Sequence, residues 1–198
     1  MSITYPLTFP TSVFPVTQSW SIQRQTGVSE SPFTGKQQTV EFDYAKWKVN
    51  VSFPPMRRTN GSEFISFLTK LHGRRGTFLM GDADRRTPSN SISGDVTING
   101  SFAVNSVVLT VSGTTAFSKG DMIQLGSGAS TRLYMIVSDQ SGSSAIQIEP
   151  KLKTAVSSGD VVTYTNPKGI FRMDSNNQMW DTNAVSNYGI SFSCTEAD

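Results

Sequence analysis

The sequence contains a single cysteine, Cys194, and a single histidine, His72, among its 198 residues. One cysteine excludes an intrachain disulfide and a cysteine-based zinc site, and one histidine excludes a multi-histidine metal site. Any Ser/His/Asp or Cys/His catalytic group would have to be built around His72. Because these common chemistries are missing, the function has to be inferred mainly from architecture.

Strong charge and long apolar runs are also missing. The formal net charge is +2 and 16% of the residues are charged, which gives no concentrated field for nucleic acid or an anionic membrane. No stretch of about 18 apolar residues occurs, and the first residues lack the basic start and continuous apolar core of a signal peptide. With 36% hydrophobic residues, we expect a globular, cytoplasmic product that is not exported by the general secretory route.

The first part of the chain is patterned as β-strands. Pro6, Pro10 and Pro15 predict an extended arm or edge segment, because each proline removes a backbone donor. Residues 16–24 alternate with a period of two, which predicts a half-buried strand followed by turns at Gly27 and at residues 31–35. Residues 37–53 also alternate, but the phase shifts by one residue, which predicts a β-bulge near residues 45–46.

One helix is predicted after this strand. Asn60 and Glu63 have the spacing of a capping box, and Gly73 stands where a helix commonly ends. Between them the apolar residues follow the i, i+3, i+4, i+7 pattern of one helix face. These residues are Phe64, Phe67, Leu68 and Leu71. A short strand is then predicted at Thr77–Met80.

Residues 87–168 differ in composition from both flanks. They are rich in Ser and Gly, and turns separate short apolar segments about every ten residues, which is typical of a small barrel or sandwich. The predicted strands are 95–98, 106–111, 121–125, 133–137, 145–149 and 160–164. After them, a strand from Tyr188 to Cys194 is expected to pair with the N-terminal strands. We therefore predict a discontinuous outer domain, 1–86 plus 169–198, interrupted by an inserted domain, 87–168.

Three arginine doublets are the candidate contact residues. Their structural interpretation is that they lie in solvated loops and at helix ends; their functional interpretation is contact with a neighbouring subunit or with nucleic acid. The doublets are Arg57 and Arg58, Arg74 and Arg75, and Arg85 and Arg86.

The remaining chemically distinctive residues favour structural roles. His72 is expected at the C-terminal end of the helix, where the helix dipole stabilises a cation. Trp20, Trp47 and Trp180 are predicted to anchor the core, and Cys194 to be a small buried apolar residue. The acidic loop 81–84 lacks the spacing of an EF-hand, so we predict a charged turn and no metal site.

Several segments together resemble the distal tail proteins of long-tailed, siphovirus-type bacteriophages. The resemblance covers nearly the whole chain, and no segment of it is a chemical signature. It rests on the tryptophan strand 20–24, on WKVNVSFPPM at 47–56 and on LHGRRGTFLMGD at 71–82. Later segments that contribute are KGD at 119–121, RLY at 132–134, NPKGIFRM at 166–173 and YGISF at 188–192.

The resemblance implies a mainly β protein with one α-helix, in which a β-sandwich ring domain carries an inserted OB-like barrel. It implies a structural virion protein, not an enzyme and without a cofactor, that forms a hexameric ring joining the tail tube to the tip or baseplate hub. The implied partners are the tube, hub and possibly tape-measure proteins, with DNA only in transit through the lumen. The alternatives are a host-surface or carbohydrate-binding module, with the insert as binder, and a cell-wall hydrolase.

Overall fold

The structure, a computed structural model, describes residues 3–114, 116–140, 145–184 and 186–197. Within these ranges the protein is mainly β, with one α-helix, α1 (Arg58–Leu71), and a 3₁₀ turn at Gly128–Ser130. The strands are β1 (Leu7–Thr8), β2 (Thr17–Glu30), β3 (Gln37–Ser52), β4 (Met56–Arg57), β5 (Thr77–Met80), β6 (Ser93–Ile98), β7 (Val108–Thr114), β8 (Met122–Leu125), β9 (Arg132–Ile136), β10 (Ala145–Glu149), β11 (Val162–Thr163), β12 (Gly169–Met173), β13 (Asp181–Thr182), β14 (Asn187–Gly189) and β15 (Ser191–Glu196).

An open six-stranded sheet contains strands from both ends of the chain. Its order is β1-β5-β12-β15-β3-β2, so β1 and β2 form its two edges. All neighbours are antiparallel except β1 and β5, which are parallel. The predicted N-terminal edge segment and the predicted pairing of the last strand with an N-terminal strand are both observed.

Helix α1 packs its apolar stripe against this sheet. The four predicted stripe residues are buried in one cluster with Val49, Val51 and Phe78. A three-stranded sheet, β13-β14-β4, lies beside the helix. Gly61 is the helical residue at this contact, because a Cβ atom there would stand 2.7 Å from the ring of Tyr188.

The predicted capping box was wrong. Helix α1 begins at Arg58 with Arg57 as the N-cap residue and no side-chain cap, so Asn60 lies inside the first turn. The physical reason is that β4 runs directly into the helix, because Met56 and Arg57 pair with Tyr188 and Asn187. This tertiary pairing starts the helix at Arg58, on the N-terminal side of Asn60, so Asn60 cannot act as its cap. The predicted C-terminal end is confirmed, with His72 as a left-handed C-cap.

A second six-stranded sheet, formed by residues 93–163, is nearly closed into a barrel. Its order is β11-β8-β9-β10-β7-β6, and an isolated bridge between Thr97 and Val161 links the two end strands. Backbone bonds from Ile98 N to Asp160 O, 2.8 Å, and from Gly159 N to Ile98 O, 2.9 Å, reinforce this closure. The predicted mainly β fold with a small barrel is confirmed; the domain boundaries stay a prediction.

Two strand predictions need correction. Strand β2 does not turn at Gly27 but continues to Glu30, because β3 pairs with it along that length. The bulge in β3 exists, but it lies just before Ala45: Arg24 pairs with Ala45 and Thr26 with Glu41, so residues 42–44 stand opposite one residue.

The last predicted strand is two strands in different sheets. Strand β14 ends at Gly189 and β15 begins at Ser191, with buried Ile190 between them. Alternation continued across the break because Ile190 enters the same core as Cys194. Periodicity therefore located the buried side chains but not the change of sheet.

A buried polar junction connects the two sheets. The carboxylate of Glu196 accepts a hydrogen bond from Trp47 N, 3.1 Å, and forms an ion pair with Lys153 Nζ, 2.6 Å. The indole Nε1 of Trp47 donates to Leu133 O, 3.0 Å, and Lys153 N donates to the Tyr134 hydroxyl, 3.0 Å. The open sheet and the barrel region thus supply charged and polar partners to one desolvated cluster.

Candidate assembly surface

The most exposed apolar feature is the outer half of the β2–β3 hairpin. We define this outer hairpin as residues 26–44, which extend from the bulge to the turn and back. Five of its large apolar residues are exposed, and Phe33, at the turn, is 95% exposed. The others are Val28, Val40, Phe42 and Tyr44.

Alternation separates these side chains between the two faces of the hairpin. Val40 and Phe42 share one face, as their common position against Gly27 shows, and Tyr44 lies beyond them in the bulge. Gly27 pairs with Val40 and has no side chain to cover it, so the Phe42 ring lies over the Gly27 backbone. The result is an apolar row that no second layer covers within the described part of the chain.

Ion pairs hold the hairpin at its bulge. Asp43 accepts hydrogen bonds from Lys151 Nζ at 2.8 Å and from Asn105 Nδ2 at 3.1 Å, both from the barrel region. Arg24 Nη2 pairs with Glu149 at 2.8 Å. The hydrogen bond that Lys151 donates to Asp43 raises the pKa of Lys151. We call these contacts the hairpin latch.

The outer edge of β2 is open within the described part of the chain. This strand is 14 residues long, ends the sheet, and carries only two charged residues, Arg24 and Glu30, with no proline and no lysine. Edge strands of monomeric proteins are usually blunted by lysine, proline or shortness. Strand β2 therefore lacks the common protections against pairing with another chain.

The arginine doublets do not form a single cluster. Arg57 and Arg58 stand at the start of α1 and Arg74 and Arg75 just after its end, so the helix separates these doublets by about 20 Å. Among the described residues none of the six arginines forms an ion pair. Five of them, Arg57, Arg58, Arg74, Arg75 and Arg85, are exposed.

The third doublet lies against the N-terminal segment and the barrel. The Arg86 guanidinium lies over the Phe14 ring at 4.6 Å, and Arg85 Nη1 approaches Met135 Sδ at 4.0 Å. These contacts support a structural role for Arg85 and Arg86. The other doublets stay predicted contact residues.

The tryptophan prediction was right for two of three residues. Trp47 is buried and Trp20 packs edge-on against it with ring centroids 5.8 Å apart. Trp180, in contrast, is exposed, because the segment 174–181 runs over the surface and leaves its side chain unpacked. Cys194 is buried as predicted, and this burial raises the pKa of its thiol.

The acidic loop after β5 is a turn held by one local hydrogen bond and by one to strand β2. Asp84 N donates to Asp82 Oδ1 at 3.0 Å, and Ala83 N donates to Gln18 Oε1 at 2.8 Å. No group of three or more potential metal-ligating side chains occurs within the described ranges. His72 is exposed at the end of α1 and belongs to no such metal-ligating group within the described residues.

Sequence reasoning did not single out the outer hairpin as a site. The apolar alternation at Val40, Phe42 and Tyr44 resembled that of an ordinary half-buried strand. The available signal lay in the partner strand, because residues 25–30 offer only Val28 as a large apolar residue. When one strand of a hairpin carries a row of apolar side chains and the strand paired with it carries few, the apolar row suggests a surface that contacts another molecule.

No protein-family model and no curated protein matches this chain. Within its described residues, the structure has no helix that is long and apolar enough to span a membrane.

Proposed function

We propose that this chain is a ring-forming structural subunit of a phage tail. The observation that supports assembly is the open, lightly charged edge of β2, continuous with the apolar row of the outer hairpin. An exposed strand edge offers backbone hydrogen bonds to a neighbour, and the apolar row offers area whose burial is favourable. The resemblance to distal tail proteins supplies the tail as the assembly.

The geometry of the open sheet favours a head-to-tail contact. Its two edges, β1 and β2, are chemically different and lie on opposite sides of the sheet. A contact that joins two unlike surfaces repeats from subunit to subunit and closes into a ring when the rotation is right. In the proposed tail, six copies form the ring between the tube and the tip or baseplate hub, and DNA passes through its lumen.

A host-surface role in which residues 87–168 stack a neutral carbohydrate on an aromatic face has less support. Sugar sites commonly present an exposed aromatic face. The four aromatic residues of this segment are all buried or half-buried. They are Phe102, Phe117, Tyr134 and Tyr164.

Two equally exposed valines make a matched test of the assembly surface. Val40, in the apolar row, is 50% exposed, and Val104, in the barrel region, is 51% exposed. We expect Val40→Asp to reduce the ring population, because it places a charge in the proposed contact, and Val104→Asp to leave it unchanged. Native mass spectrometry of the purified chain and electron microscopy of tails measure the ring.

Two results would contradict the proposal. Tails that contain only monomers or dimers of the wild-type chain would exclude a ring. Equal ring populations for the two aspartate variants would exclude the outer hairpin as its contact surface. Circular dichroism of both variants checks that each monomer is folded.

A further inference from the structure

The barrel has a cleft that the proposed ring contacts do not use. Its volume is about 550 Å³, within the range of small-molecule sites. It lies where β8 ends, β9 begins and β11 crosses, with residues 154–156 on its far side. The mouth of a small barrel is a common place for a ligand, because the side chains there cannot all meet across the opening.

Arg132 is the cationic side chain of this cleft. Strand alternation directs it to the barrel side, because Tyr134 and Ile136 belong to the barrel core whereas Leu133 belongs to the core of the open sheet. Its Nη1 donates to Thr131 O at 2.9 Å and to Ala129 O at 3.4 Å. These two bonds hold the guanidinium at the mouth.

No ion pair within the described residues compensates the charge of Arg132. Its Nε is buried without a hydrogen-bond partner, and no carboxylate within the described ranges forms an ion pair with it. Asp160 is the one acidic residue among those that line the cleft; it forms no ion pair with Arg132, and its Oδ2 accepts a hydrogen bond from Ser157 N at 2.8 Å. A partly desolvated cation without a counter-ion favours an anion in the cleft.

The remaining lining residues suit a polyhydroxylated molecule. Hydroxyl groups can donate to or accept from a ligand, and apolar side chains complete the lining. The hydroxyl residues are Ser127, Ser130, Thr154 and Thr163, and the apolar ones are Leu125, Val156 and Val161. Tyr134 offers no stacking face because it is buried.

We propose that this cleft binds a small polyhydroxylated anion, the size of one sugar unit, with its carboxylate or phosphate on Arg132. The guanidinium is suited to both groups because its planar donors match two oxygens at once. A neutral sugar would leave the half-buried guanidinium without an ion-pair partner and should bind poorly. The site does not depend on the proposed ring.

Calorimetric titration of the intact chain tests the site with three matched probes. Glucuronate supplies a carboxylate, glucose 6-phosphate supplies a phosphate, and glucose is the neutral control. We expect one or both acids to bind and glucose not to bind. The acid that binds with the lower dissociation constant shows whether the site prefers a carboxylate or a phosphate.

Variants of the two charged residues that line the cleft, with an exposed arginine elsewhere as the control, make the test specific. Arg132→Gln should weaken acid binding about tenfold or more, the usual magnitude for a lost charged hydrogen bond. Arg172→Gln changes an exposed arginine on β12 and should have no effect. Asp160→Asn should strengthen acid binding by removing a negative charge from the cleft.

Several results would overturn the proposal. These are the absence of binding by both acids at millimolar concentration, equal binding of glucose and the acids, or equal effects of Arg132→Gln and Arg172→Gln. If Arg132→Gln does not fold, unchanged or weakened acid binding by Asp160→Asn overturns it instead.

Discussion

The two six-stranded sheets of this protein differ in whether their edge strands are exposed. The barrel sheet nearly closes on itself, so its end strands β6 and β11 meet through the Thr97–Val161 bridge. The open sheet keeps a 14-residue edge strand and an apolar hairpin at one side. Since closure removes edges, the open sheet is the region for which we propose assembly contacts, whereas the proposed ligand site lies in the barrel.

Their cores differ as well. The core of the open sheet is rich in aromatic rings. A single residue there, Phe9, contacts five other rings at centroid distances of 5.4–6.2 Å, those of Phe53, Phe64, Phe67, Phe78 and Phe192. The barrel core is mainly aliphatic, with one aromatic ring contact described there, between Phe117 and Tyr164. Large rings fill the space between sheet and helix, whereas smaller branched side chains fit the narrow interior of a barrel.

The largest effect should come from breaking the junction between these regions. Glu196→Ala leaves Lys153 as a buried, unpaired cation, so we expect a loss of about 3–5 kcal/mol in the free energy of unfolding. Urea denaturation measures this loss. Glu63→Ala, at an exposed helix position, is the matched control and should change little. A Glu196→Ala cost no greater than that of the control would show that the junction does not couple the regions.

A smaller effect should appear at alkaline pH. Burial raises the pKa of Tyr134 from 10.0 to about 12. Because the unfolded chain releases this proton first, the contribution of Tyr134 is fully present below pH 10 and is lost as the pH rises to about 12. The shift corresponds to about 2–3 kcal/mol.

Comparison with Tyr134→Phe isolates this contribution. The variant loses the hydrogen bond from Lys153 N but carries no titrating hydroxyl, so its stability should fall less than that of the wild type between pH 10 and 12. Urea denaturation at a series of pH values measures the difference. Parallel pH profiles for the two proteins would contradict it.

The smallest effect on stability should come from the hairpin latch. Asp43→Asn removes an ion pair that is largely exposed to solvent, and such pairs contribute little to folding. We expect the melting temperature to change little but amide exchange in residues 26–41 to become faster, because the latch holds the hairpin at its bulge. High salt should reduce the difference between variant and wild type.

An exposed ion pair of the barrel provides the control for the latch. Lys119 and Asp139 pair at 3.2 Å, far along the chain from the hairpin. Asp139→Asn should leave exchange in residues 26–41 unchanged. If both variants change hairpin exchange equally, the latch has no specific role in holding the hairpin.

Most of the fold could be predicted because its strongest signals are periodic and local. Strands β5 and β10 lie where they were predicted, and the apolar stripe of α1 is buried as expected. The errors occur where a distant partner decides. Strand β14, far along the chain, fixes the start of α1. Strand β3 extends β2 beyond Gly27, because pairing across the hairpin outweighs the turn preference of that glycine.

Less of the candidate sites could be predicted. Alternation at Val40 and Phe42 does not reveal whether a second layer covers the strand, since that depends on the whole architecture. The cleft around Arg132 requires the barrel to bring residues 124–134 and 154–163 together. An uncompensated charge can be recognised only after the positions of all its neighbours are known.

The pairing of Met80 with Gly169 has a consequence for folding kinetics. In topological terms, the whole segment between these residues is the loop of one β-hairpin. A flexible loop of that length would have to search for its closure, and contacts so distant in sequence form slowly. Formation of the barrel brings the two ends of the loop together, so the centre of the open sheet should assemble after the barrel and at a rate that the barrel controls.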